Sequence, residues 1–487
     1  MSLRYESIVR EPLINGTKDF HQVTEDIVRP IEGKPGTLWY IGLYISVAML
    51  LFGVFAVFWE VYWGIGVWGV NKTVDWAWAI TNFVWWVGIG HAGTLISAIL
   101  LLFRQGWRTG VNRAAEAMTI FAVMCAGQFP IWHVGRVWDV FFIFPYPNTR
   151  GPVWPNFNSP LLWDVFAVGT YFTVSVLFWY AGLIPDLATL RDRAKTKLRK
   201  FLYGYFSFGW TGNVKSWQRI EALFLVLAAL ATPLVLSVHS VVSMDFATSV
   251  IPGWHTTIFP PYFVAGAIFS GFAMVQTLLI VTRKILHLEE YITLGHIEAM
   301  NKVIMVTGSI VAMAYCSEFF VAWYSGDYGE GGQFWWRVDG PYWWAWWCLI
   351  TCNVICPQMF WFKKLRRNIA FTFYMSIIIN IGMWFERFVI IVLSLYHDWI
   401  PSSWTYFSPT WADMGFYIGT FGLFFTCYFL FAKYLPVIAI HEIKHVLRVS
   451  GESYKQNMKA IEAQPLTDFV ERASHEEHVS TGVGGIR

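Results

Sequence analysis

Long apolar runs alternate along the chain with short polar or basic connectors. Ten runs stand out, each bounded by charge, Pro or Gly: 38–59, 78–103, 112–143, 161–184, 217–243, 257–282, 298–324, 341–362, 368–396 and 412–440. A helix needs about 20 apolar residues to cross a bilayer, whereas barrel strands are about ten residues long and alternate strictly. These runs are long and continuous, so they predict helices. The expected fold class is an all-α polytopic membrane protein with ten transmembrane helices, spans 1 to 10. Spans 3 and 7 exceed the hydrocarbon thickness and are expected to tilt, kink or protrude. The expected division is an N-terminal tail (1–37), a ten-helix membrane domain (38–440) and a C-terminal tail (441–487). The first tail is polar, so no cleavable signal peptide is expected. The second is charged and ends in a Gly-rich tip expected to be disordered.

Composition narrows the class. Of the 487 residues, 56% are hydrophobic and only 14% are charged, against about 25% charged in a soluble domain. Too few charges exist to coat a soluble surface of this size. Six Cys are too sparse for a disulfide scaffold, and a net charge of +3 excludes a nucleic-acid footprint. Of the 35 Lys and Arg, 30 fall in the tails and in the connectors after even-numbered spans. That bias predicts cytoplasmic termini in a multi-pass protein of the cell (inner) membrane. The segment Arg191 to Lys200 is its strongest anchor.

The connectors on the opposite, outer side differ. Residues 144–163 carry five Pro with interleaved aromatics, and 325–340 and 397–411 are rich in Trp, Tyr and Gly. They read either as an interfacial aromatic belt or as a stiff docking surface for a protein outside the membrane. Glu116-Ala117-Met118 and Glu298-Ala299-Met300 each open a span after a basic connector. They hint at a duplication, with spans 2–5 and 6–9 as two related four-helix bundles.

Ionisable residues at membrane depth are costly, so each is a functional candidate. Span 3 ends in His133, Arg136 and Asp139, spaced three apart, which places them on one helical face. Pro130 is expected to kink the helix just before them. Asp164 opens span 4, His239 and Asp245 close span 5, and Trp254 and His255 precede span 6. By position they share one depth near the outer face, as a pocket or as water-touching interfacial residues. His91 in span 2, Glu318 in span 7 and Glu386-Arg387 in span 9 are deeper. Arg387 requires a carboxylate, either Glu318 or Glu386. This deeper group reads either as a structural ion pair or as a proton relay. Cys348, Cys352 and Cys356 lie four apart, a helix-packing stripe rather than a cluster motif, so no metal site is expected. Bis-His haem is disfavoured because only His91 is near mid-membrane; His133 with His239 stays open.

A boundary pocket of His, Asp, Arg and Trp suits an amphipathic ligand with a polar ring. Quinol oxidation fits, since His and Asp can accept the protons it releases. With no redox centre expected on the chain, electrons must leave to a partner. The ten-span layout, the Gly-His-Ala-Gly-Thr segment at 90–94 and Asn-Ile-Gly-Met-Trp-Phe-Glu-Arg at 380–387 resemble the NrfD/PsrC (polysulfide reductase membrane subunit) family. Within it, the chain looks most like the quinol-binding membrane subunits of bacterial alternative complex III. The resemblance implies two bundles with spans 1 and 10 peripheral, and no haem or iron–sulfur cluster on this chain. It implies menaquinol oxidation at His133, Asp164 and Asp245, with Arg136, Asp139 and His239 nearby. His91, Glu318, Glu386 and Arg387 become proton-path candidates. Implied partners are an iron–sulfur subunit on the outer face, a multihaem c-type cytochrome, a monohaem cytochrome and a homologous NrfD-like membrane subunit. The competing readings are a secondary transporter and a passive anchor for an extracytoplasmic oxidoreductase.

Overall fold

The computed structural model describes residues 11–144 and 159–462. The heart of the expected docking loop, with Tyr146, Trp154 and Phe157, lies outside the described residues, as does the Gly-rich tip. We number the helices in chain order: α1 Phe20–Glu32, α2 Thr37–Trp63, α3 Ala77–Leu102, α4 Asn112–His133, α5 Pro160–Arg193, α6 Lys197–Phe206 and α7 Val214–Ala247. Then follow α8 Phe259–Ile285, α9 Leu294–Ser325, α10 Tyr328–Asp339, α11 (343–361), α12 Ile369–Tyr396, α13 Trp411–Tyr434, α14 Ile440–Ser450 and α15 Glu452–Glu462. Among the described residues nine helices are long and apolar enough to cross a membrane: α2 to α5, α7 to α9, α12 and α13. The chain is a multi-pass membrane protein.

The eighth predicted run does not appear as one long α-helix. It is α-helical over Trp343–Ile350, π-helical over Thr351–Ile355 and 3-10 over Cys356–Trp361. Pro357 cannot donate to a preceding carbonyl, so the α-helical ladder cannot run through it. Two further π turns interrupt α3 at Leu95–Ile99 and α12 at Val389–Leu393. Such turns insert one residue and re-aim the side chains beside them. The over-long third run is also shortened. Its helix is interrupted at Gln128 and stops at His133; Gly135 then takes a left-handed φ of 74°, and a 3-10 turn covers Val137–Ile143.

The helices differ in what they meet. α3 is buried along almost its whole length and packs on α4, α8 and α12, while α5 pairs with α7 and α8 also meets α7, α9 and α12. α2 is apolar all round yet leaves Leu51, Phe58 and Tyr62 exposed, as a lipid-facing helix does. Its one extensive partner is α13. The seam is built from small residues: a Cβ on Gly419 would lie 2.4 Å from Gly53 Cα, and one on Gly422 would lie 2.2 Å from Leu50 N. Between apolar helices in lipid, close backbone approach supplies the attraction that the hydrophobic effect cannot.

Both described ends of the chain lie on one face, tied by a parallel bridge between Ile14 and Gly451. Asp19 and Gln22 form a capping box that starts α1. α1 and the residues beside it are then tied to helix ends and connectors on the same face. Arg193 meets Glu25 at 2.5 Å and Glu32 at 2.9 Å, Lys18 meets Glu290 at 2.6 Å, and Lys433 donates to the carbonyls of Pro30 and Gly33. The Glu290 and Asp26 carboxylates hold Lys18 above its ordinary pKa, against the opposing effect of partial burial.

The α2–α13 seam makes a test. Gly419→Leu should lower stability by about 1–3 kcal/mol or more through overpacking, read as a lower thermal unfolding midpoint in detergent. Gly127→Ala, which meets open space, should leave the midpoint unchanged or higher. Equal midpoints for the two variants would contradict a close-packed seam.

Candidate functional site

The predicted site residues separate into three groups. At the end remote from the chain termini, Asp164 in the first turns of α5 and Asp245 near the end of α7 are 7% and 9% exposed. The α5–α7 packing brings the two carboxyls close enough to act on each other electrostatically. The Oδ1 atom of each is buried without any partner. His133 ends α4 with its ring stacked 6.2 Å from that of Trp68, and its Nδ1 is likewise buried and unpartnered. No hydrogen bond or ring contact joins His133 to the aspartates among the described residues.

Arg136 and Asp139 do not share a helical face with His133. The helix ends at His133, and the left-handed Gly135 turns the chain before Arg136. Spacing of three residues therefore does not align them here. Arg136 is exposed and Asp139 half-buried.

His239 belongs to the deeper group rather than to the aspartates. Its ring lies 5.4 Å from that of His91, and its Nε2 is 3.5 Å from Arg387 Nη2. α7 is 34 residues long, about 51 Å at 1.5 Å per residue, so nearness to its end in sequence does not mean nearness to the surface. Arg387 takes Glu386, not Glu318, as its carboxylate at 2.8 Å, and lies over the Phe263 ring at 4.2 Å. Gly266 of α8 makes the room, since a Cβ there would sit 3.4 Å from Arg387 Nη2 and 3.6 Å from Glu386 Oε1. Tyr315 donates its hydroxyl to Glu386 and accepts from Asn353 at 3.1 Å. Tyr262 meets the Tyr315 ring edge-on at 5.6 Å.

Towards the terminal face, His91 continues into a chain of neutral groups. Its ring is 6.5 Å from that of Tyr171, which donates to Gly90 O at 2.7 Å and accepts from Thr94 at 3.0 Å; Thr94 in turn meets Ser175 at 3.2 Å. Lower still, Arg113 is 1% exposed and donates to Gly182 O and to Asp186 at 3.3 Å. Asp186 meets His441 at 3.3 Å and lines a cavity of about 270 Å³ on that face.

The third group surrounds Glu318. It is 7% exposed with Oε1 unpartnered, and lines a cavity of about 460 Å³ together with the exposed His255. Arg337, placed by sequence in a connector, is instead 2% exposed, with Nη2 on Ser394 Oγ at 3.2 Å. Trp254 is not a pocket residue: it is buried between Trp76 and Phe246, with Nε1 donating to Ile390 O at 2.5 Å. Among the described residues no three His, Cys, Asp or Glu converge to hold a metal ion, and Cys348 and Cys352 are 4.0 Å apart at sulfur.

Sequence reading passed over Tyr171, Tyr262, Tyr315, Asn353 and Arg113. The tyrosines lie within the apolar runs and carry no charge to mark them, and Arg113 counts by position among the connector cations. Glu60, 0% exposed with both carboxyl oxygens unpartnered, reads in the sequence only as the charge that closes the first run.

Removing one member of a buried ion pair strands the other, at about 3–5 kcal/mol, whereas replacing both by apolar groups is often neutral. Glu386→Gln should therefore destabilise the protein by about that much. Combining it with Arg387→Met should recover most of the loss. Unfolding midpoints of wild type, both single variants and the double variant test this; additive losses would mean that the two side chains are not coupled.

Known proteins resemble the chain over much of its length. A protein of Halobacterium salinarum, named as a dimethyl sulfoxide reductase membrane subunit, is 27% identical over 247 residues, covering 50% of this chain and 52% of that protein. The chain thus spans about half the length of that relative. The family described as "Polysulphide reductase, NrfD" matches residues 66–396, a stretch that holds every group above from Trp68 and His91 to Arg387. The chain belongs to the NrfD polysulphide reductase family.

Proposed function

We propose that this chain is the quinol-binding membrane subunit of a respiratory or photosynthetic electron-transfer complex of the alternative complex III type. The observation that carries the reading is the Asp164–Asp245 pair: two buried carboxyls acting on each other, each with a buried oxygen that has no partner. Buried polar atoms without partners are rare in folded proteins and mark places where a ligand or water completes the bonding. Menaquinol bound there supplies two electrons and two protons on oxidation. The free aspartate oxygens accept hydrogen bonds from its hydroxyls, and the pair takes up a proton as general base. His133, held by Trp68, accepts at the other side of the ring.

In this reading both termini are cytoplasmic, the aspartates face outward, and 343–361 is a tenth crossing. Spans 2–5 and 6–9 form the two four-helix bundles of the membrane domain 38–440. Electrons pass to an iron–sulfur subunit docked on the outer face, and from there to c-type cytochromes; the assembly also includes a homologous membrane protein. The neutral and charged groups running from Tyr171 through His91 and His239 to Arg387, Glu386 and Tyr315 are the candidate proton path.

Asp164→Asn and Asp245→Asn should each lower quinol oxidation about 10²-fold or more, the scale of a lost general base, with His133→Ala comparably damaging. Turnover of purified variants checks this. Near-normal rates with the complex intact would sink the assignment.

Docking has its own test. A Cys placed at Asn156, within the Pro-rich loop, should cross-link to an iron–sulfur protein. Capture of a cytoplasmic protein would overturn the orientation, and no capture from an intact complex would count against docking at this loop.

A further inference from the structure

The cavity beside Glu318 is a built site that the aspartate pair does not use. Glu318, Val321, Ala322 and Ser325 line it, and positions i, i+3, i+4 and i+7 form one face of α9. From Glu318 at the floor to Ser325 near the helix end is seven residues, about 10 Å of depth. Glu318 Oε1 is buried and has no partner. The buried Arg337 acts on it electrostatically, its guanidinium lying over the Phe334 ring at 4.3 Å.

The walls are held in place. Trp399 donates its indole N–H to Val250 O at 2.7 Å, so it presents ring carbon to the cavity. Phe334 is fixed between Arg337 and Phe319, the latter at 4.8 Å. Glu330 accepts the Gly253 N–H at 3.0 Å, and His255 stands exposed at the mouth. A volume of about 460 Å³ falls in the range of small-molecule sites, which pair apolar walls with a few placed polar groups.

We propose that this cavity binds a planar hydroxylated aromatic ring of the hydroquinone class, one hydroxyl donating to Glu318 Oε1 at the floor and the other meeting His255 at the mouth. The ring packs against the aromatic lining, Trp399 and Phe334. An acceptor at depth, a donor-acceptor at the mouth and aromatic side chains in the lining match a ring with hydroxyls at opposite ends. The cavity is a second ring site, separate from Asp164 and Asp245. The choice of a quinol as ligand rests on the function proposed above.

The test is the number of short-tailed naphthoquinol molecules bound per complex, measured by equilibrium dialysis under reducing conditions. Two per complex are expected. Glu318→Gln should weaken one site at least tenfold, and so should Ala322→Phe, which fills the cavity without removing the carboxyl; Asp164→Asn should weaken only the other. A single site lost in Asp164→Asn and kept in both cavity variants would overturn this proposal and leave the aspartate site standing. A single site lost only in the cavity variants would support it and overturn the aspartate reading. No binding at all would overturn both.

Discussion

A guanidinium buried in a membrane helix keeps its charge, because its pKa is beyond the reach of any protein environment. Arg387 is 1% exposed, and the centre of the molecule is arranged around that fact. Glu386 supplies the opposing charge from the next position in the chain. Gly266 lets α8 approach, Phe263 offers its ring face, and His239 brings α7 to the other side. Glu386 is then held by Tyr315 of α9, itself bonded to Asn353 of α11. Five helices are thus committed to one register by a single pair. A slip of any of them would leave a charge or a polar atom bare where no water can repair it.

The π turns belong to the same arrangement. One begins at Val389, directly after the Glu386–Phe388 turn, and another holds Asn353. The third follows Thr94, which bonds Tyr171. Each inserted residue rotates the helix beyond it, so a polar cluster can point inward while the following turn still presents apolar surface. The insertion is tolerated because neighbouring helices cover the loosened backbone.

Long hydrophobic runs were enough to locate the helices, because a segment crossing lipid must be apolar over its whole length whatever it packs against. Details that depend on neighbours were not legible. The pitch changes in 343–361 involve Pro357 locally but also Asn353 reaching Tyr315 on another helix. Spacing suggested one face for His133, Arg136 and Asp139, yet a glycine in the left-handed region breaks the helix between them. Depth inferred from distance to a helix end failed for His239, because α7 is longer than the membrane is thick. Arg337 read as a connector residue and is fully buried in α10. Tyrosines were missed for a chemical reason: at membrane boundaries most serve as amphipathic belt residues, and nothing in one sequence separates Tyr315 from those.

Where the molecule leaves bonds unmade is as informative as where it makes them. Around Arg387 the pairing is extensive but incomplete: Glu386 Oε1, Arg387 Nη1, His239 Nδ1 and both His91 ring nitrogens make no hydrogen bond. Towards the face remote from the termini Asp164, Asp245, His133 and Glu318 each keep a buried atom without a partner as well. Selection for stability alone would remove such atoms, since each costs about 1–3 kcal/mol when desolvated and unbonded. Such atoms run from the centre of the bundle to its remote end. The Glu386–Arg387 pair fixes the register of α7 and α9, the helices that carry Asp245 and Glu318.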